Sequence, residues 1–124
     1  MARRIRVSQT TILTLQQRLR QLLGRNVSIE AEGFASEAGR LNAVTRNLIR
    51  VQQVFFVPQA VNRINVFNLP TNVGRRIQIL STFSGGQIIP ARLVALGRDF
   101  VEINVNGQRT LIPLNKVILL EPIN

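Results

Sequence analysis

Gly24-Arg25-Asn26-Val27-Ser28-Ile29 returns fifty residues later as Gly74-Arg75-Arg76-Ile77-Gln78-Ile79. In both copies a glycine and an arginine lead into apolar residues at every second position. That is the period of a strand with one buried face. Further along, Arg40-Leu41-Asn42-Ala43-Val44-Thr45-Arg46-Asn47-Leu48-Ile49 resembles Arg92-Leu93-Val94-Ala95-Leu96-Gly97-Arg98-Asp99-Phe100-Val101, and Val57-Pro58 resembles Ile112-Pro113. The spacing drifts from 50 to 52 to 55, so the turns differ in length while the pattern is used twice.

Working outward, the first series reads as short strands over 26–31, 39–44, 48–56 and 60–66. The stretch 51–57 is apolar except for Gln52 and Gln53, and is expected at the centre of a sheet or inside an interface. Asn62, Asn65 and Asn68 around Arg63 read as a polar edge able to pair with another chain. Residues 67–73, with Asn68, Pro70 and Asn72, form a linker. The second series reads as strands over 74–79, 87–96, 100–105, 109–112 and 116–120. Ser84-Gly85-Gly86, Gly97-Arg98-Asp99 and the hairpin signal Asn106-Gly107 make its turns. Before both series, Ile12, Leu15, Leu19, Leu22 and Leu23 form one apolar stripe. They predict a helix over 8–23, capped by Ser8 or Thr10 and ended at Gly24. The expected fold is mostly β: an arm and helix over 1–24, then small five-stranded barrels over 25–66 and 74–124.

The 124 residues are 45% hydrophobic, enough for a core and unlike a disordered tail. Sixteen basic residues against six acidic ones give +10, and every basic residue but Lys116 is arginine. Such a chain attracts polyanions and repels itself without them. With neither Cys nor His, disulfides, thiol catalysis, the usual zinc sites and the commonest general base are excluded. Glu30 and Glu32 alternate along one strand and read as a solvated face or as partners of arginine. Asp99, at a strand corner, reads as satisfying backbone N–H groups there in an Asx-type turn, the alternative being a ligand contact or an intersubunit ion pair. Gly85-Gly86 lacks the residues of a phosphate loop. No catalytic, cofactor or metal site is expected. No apolar run is long enough for a membrane span, and the amino terminus does not read as a secretory signal, so cytoplasmic synthesis is expected. Phe56, Phe67, Phe83 and Phe100 fit cores, which leaves few platforms for stacking bases.

A helix followed by five bent strands resembles the small-barrel class, Sm-like or SH3-like, to which Sm and Hfq proteins belong. The base-reading residues of that class have no counterpart: Gly97 and Val101 stand where an Asp and an Asn would be. Ile112-Pro113-Leu114-Asn115-Lys116 stands where Hfq has Tyr-Lys-His. Asp99-Phe100-Val101, followed by Leu111-Ile112-Pro113-Leu114-Asn115-Lys116-Val117, is similar to a segment of short spore-coat-associated proteins of spore-forming Firmicutes. That resemblance implies a non-enzymatic structural protein of a spore layer, with itself and other spore-layer proteins as partners. The alternative is an Sm/Hfq-like module binding RNA or DNA through arginines. Arg3, Arg4, Arg6, Arg25, Arg46, Arg75, Arg76 and Arg98 are the candidate polyanion or intersubunit contacts. One continuous basic face would favour nucleic acid; arginines spread over contacts with Glu and Asn would favour assembly.

Overall fold

The computed structural model describes residues 12–123. They form one α-helix and an antiparallel sheet. The helix α1 is Leu15–Gln21, shorter than the apolar stripe predicts. Thr14 caps it: its hydroxyl accepts the Gln17 N–H while the Gln17 side chain accepts the Thr14 N–H, so two otherwise orphaned donors are satisfied together. Ser8 and Thr10, the expected caps, lie outside the described residues. Leu15, Leu19 and Leu22 are buried, but Ile12 and Leu23 flank the helix and are exposed.

The strands are β1 (Asn26–Ala31), β2 (Phe34–Ala35), β3 (Gly39–Val44), β4 (Ile49–Val51), β5 (Val54–Phe56), β6 (Val61–Val66), β7 (Arg75–Ser81), β8 (Ile89–Leu96), β9 (Phe100–Val105), β10 (Gln108–Pro113) and β11 (Val117–Pro122). They pair in the order β11-β7-β8-β9-β10-β6-β1-β3-β4-β5, with β2 against β1. The sheet is open, with β5 and β11 at its ends. Two expectations are corrected here. Residues 48–56 make two strands, because Gln52 takes a left-handed conformation (φ 54°) and turns the chain back on itself. The resulting β5 is an edge strand, not a central one. Conversely β6, read as a polar edge, is interior: β1 and β10 flank it. Asn65 there bonds Ser28 and Thr110, which is why its polarity is tolerated.

The repetition extends to individual pairings. Asn26 faces Arg40, and Arg76 faces Arg92. Leu41, Ala43 and Val44 face Val51, Arg50 and Ile49; Leu93, Ala95 and Leu96 face Ile103, Glu102 and Val101, with the same one-residue bulge. Ala31, Glu30 and Ile29 face Val61, Arg63 and Ile64; Ser81, Leu80 and Ile79 face Val117, Leu119 and Leu120, again with one bulge. The offset is therefore 50 in the first strand of each series, 52 in the next two and 56 in the last two. The 3-10 turns Pro58–Ala60 and Leu114–Lys116 share the last offset, so Pro58 matches Leu114 and not Pro113. Gly24 and Gly74 both need positive φ (89° and 105°), and a Cβ on Gly74 would meet the Leu93 carbonyl oxygen at 2.6 Å. A glycine opens each series for that reason.

The two cores lie on opposite faces of the shared strands. Val101, Ile103 and Val105 of β9 and Ile112 of β10 join Ile77 and Ile79 in the second core. The alternate residues Phe100 and Leu111 enter the first core, with Val27, Ile29, Leu41, Ile64 and the α1 leucines. Full burial of each such side chain contributes about 1.5–3 kcal/mol.

Candidate assembly edges and arginine surface

Phe100 and Leu111 are 2% and 0% exposed because the first half of the chain covers them. Their register equivalents in the first half are Leu48 and Phe55, 40% and 59% exposed. The same two positions are thus occupied by apolar side chains in both halves, but only one pair is covered. The covering strand is β6, the last of its series, which meets β10, the fourth of the other: Thr110 faces Asn65 and Leu111 faces Ile64. At the sheet ends a fourth strand (β5) and a last strand (β11) each have an outer edge with no strand beside it among the described residues. Val57, beyond β5, and Ile118, in the β11 bulge, are exposed as well. Bare apolar edges are templates for pairing. Phe55 was not among the phenylalanines expected in cores; its alternation with Phe56, which is buried, is the signal that could have identified it.

A buried ion cluster locks the internal junction. Arg18 of α1 grips both Glu102 carboxylate oxygens (2.8 and 2.9 Å), and Arg109 Nη1 donates to Glu102 Oε2 at 2.7 Å. Arg109 also donates to Asn104 Oδ1 (2.9 Å) and to the Pro70 carbonyl (2.6 Å), tying the linker down. Burial opposes ionisation of Glu102, but hydrogen bonds and charge from Arg18 and Arg109 outweigh it and hold the carboxyl below the ordinary glutamate range. The bond to Glu102 in turn raises Arg18, against its own partial desolvation. From sequence alone Glu102 has no assigned role. Its alternation with Phe100 and Asn104 in an apolar strand was the available signal.

Asp99 accepts the Leu15 N–H at 2.7 Å, satisfying a donor in the first turn of α1 across the halves. Gly97 is packed against Phe100: a Cβ there would lie 2.0 Å from the ring. Val101 is buried. Glu30 pairs with Arg63, whose guanidinium lies 4.6 Å from the Phe83 ring centre; Glu32 falls beyond β1.

Arg3, Arg4 and Arg6 lie outside the described residues. The remaining candidates are exposed, and four of them fall in two equivalent pairs, while Arg76 has Asn26 as its equivalent. Arg25 and Arg75 stand at the two openings, and Arg46 and Arg98 at the two corners where Thr45 bonds Leu48 and Gly97 bonds Phe100. Arg25 reaches the Asn68 carbonyl (3.4 Å), and Arg46 lines a cavity with Leu15, Pro58 and Asp99. Arg76 stands opposite Arg92 on the adjacent strand. Arg18, Arg63 and Arg109 serve carboxylates inside the fold. No group of three or more metal-ligating side chains occurs among the described residues, and no helix among them is long and apolar enough to cross a membrane. Comparison with protein-family models, curated proteins and solved structures gives no match.

Proposed function

We propose that the protein is a non-enzymatic, self-assembling structural protein, built of two small barrels, whose copies join head to tail through β5 of one and β11 of the next. One observation carries this reading: Leu48 and Phe55 stand exposed where Phe100 and Leu111 are buried. The internal β10–β6 junction supplies the template. Moving its register by the repeat offset puts Val54 of one copy opposite Glu121 of the next, and Phe55 opposite Leu120. Leu120 already packs on the second core, so Phe55 would enter that core as Leu111 enters the first. Such a contact joins different surfaces, so it closes into a ring or runs on as a filament. The arginines' distribution agrees: several serve internal carboxylates and backbone carbonyls. The resemblance of residues 99–101 and 111–117 to spore-coat-associated segments would put the assembly in a spore layer.

The test is light scattering on nuclease-treated protein. Wild type is expected to form a concentration-dependent oligomer, and Phe55→Glu a folded monomer. Val54→Cys with Glu121→Cys should cross-link between copies on oxidation, since the chain has no other cysteine. Wild-type protein that is monomeric at about 100 μM, where a micromolar contact would be nearly saturated, would refute the reading.

A further inference from the structure

A groove of about 450 Å³ lies on the second half, between the linker, the β7–β8 pair and the β9–β10 hairpin. Arg76, Arg92, Asn104, Thr71, Asn72 and Asn106 line it, and no carboxylate does. Arg76 and Arg92 face one another on adjacent strands. Their neighbours Ile77, Ala91 and Leu93 pack the second core, so both arginines project from the other face. Like charges directly opposite repel. Neither arginine forms an ion pair among the described residues; Glu102 and Glu30 are engaged with other arginines.

The groove's floor is fixed. Arg92 Nη1 donates to the Gly74 carbonyl at 3.1 Å. Asn104 donates to the Val73 carbonyl at 3.0 Å and accepts from Arg109. The side chains of Arg76, Thr71, Asn72 and Asn106 carry donors with no hydrogen bond to the described residues. The first half does not repeat this arrangement. Asn26 stands at the position of Arg76, and the β4–β5 hairpin closes at Val51↔Val54, short of the extra pairs that carry Asn104 and Asn106 in the second half. The groove is therefore an elaboration of one half and not a by-product of the shared scaffold.

From this geometry we infer that the groove binds a phosphate oxyanion clamped between Arg76 and Arg92. Two planar guanidinium forks suit phosphate oxygens, and neutral Asn and Thr donors complete the shell without opposing the charge. No aromatic side chain lines the groove, so the ligand is held by its phosphate and not by a stacked base. The phosphate can belong to a free diphosphate or to a phosphodiester backbone; the chemistry recognised is the same.

Calorimetry on the full chain with two probes, sodium pyrophosphate and a ten-residue oligothymidylate, tests the proposal. Binding of either probe is expected, with Arg76→Gln and Arg92→Gln each weakening it about tenfold or more, the scale of a charge-assisted hydrogen bond. Arg50→Gln removes the same charge from the first half and should leave binding within about twofold, as screening of a distant charge implies. Pyrophosphate binding that the oligonucleotide cannot displace assigns a free phosphate; mutual displacement assigns a shared phosphate site. The melting curve of Arg76→Gln should match wild type, since that side chain is exposed and forms no hydrogen bond to the described residues. Equal losses in Arg50→Gln and Arg76→Gln would reduce the effect to diffuse charge and overturn the proposal, as would no binding of either probe at millimolar concentration.

Discussion

The two halves share pairings down to their bulges, yet they are buried differently. Strands β9 and β10 are covered on both faces: one face serves the second core, the other is roofed by α1 and by the first half. Their counterparts β4 and β5 have one covered face and one bare edge. The backbone scaffold alone therefore does not decide burial. What decides it is position in the chain: the second half has the first beside its fourth strand, and the first half has nothing beside its own. Identical registers with unequal surroundings make the chain its own control.

Equivalent substitutions in the two halves put that contrast to the test. Phe100→Ala should cost about 3–5 kcal/mol in denaturant melts, whereas Leu48→Ala at the matching position should cost about 0.5 kcal/mol or less in the monomer. Similar losses at both sites would show that Leu48 is buried in solution. Glu102→Ala should cost a similar 3–5 kcal/mol, because it strands Arg109 in a buried site. Its counterpart Arg50, half-exposed over Phe55, should cost well under 1 kcal/mol on replacement by Ala.

The Glu102 carboxylate also sets an acid limb. Its folded pKa is depressed, so its stabilisation is complete above the ordinary glutamate value and is lost as pH falls through the lower folded value. The stability gap between wild type and Glu102→Gln should narrow steadily below about pH 4. A gap that stays constant down to pH 2 would mean that the carboxylate is not the source. Next comes Leu19→Ala, expected at about 2–5 kcal/mol at the low end of this group, since a helix of two turns can shift to fill part of the cavity. The smallest effect concerns the hairpins. Asn106-Gly107 suits its left-handed turn, but Gln52 holds the same kind of conformation without the residue for it. Gln52→Gly should gain up to about 1 kcal/mol; a loss would show that its side-chain contact with Gly39 matters more.

Most strands were legible because alternation is a local signal. The bounds 39–44 and 100–105 coincide with β3 and β9, and the repeated Gly-Arg opening led to a register correspondence that holds for each strand pair within a series except β1–β2. What could not be read depends on partners distant in the chain. Gln52-Gln53 looked like the interior of one strand because neither residue is a typical turn former. Asn65 and Arg63 looked like an edge because their polar partners Ser28, Thr110 and Glu30 lie more than thirty residues away. The candidate arginines were legible as a type, and Arg25/Arg75 and Arg46/Arg98 as equivalent pairs. Only strand pairing sets Arg92 directly against Arg76, and Glu102 acquires a role only with Arg18 and Arg109 around it.

The β10–β6 junction has a consequence for synthesis. The first core is completed by Phe100 and Leu111, which leave the ribosome well after β6 does. At translation rates of about 5–20 residues per second, the forty-odd intervening residues hold that core open for roughly 2–9 s. Throughout that interval a nascent chain displays a finished last strand with no fourth strand beside it. Neighbouring chains on one messenger carry a free β5 of matching kind. Under the proposed pairing between copies, the order of emergence sets a race between closing on the chain's own second half and capturing a neighbour, and slowing elongation between residues 67 and 99 would tilt it toward capture.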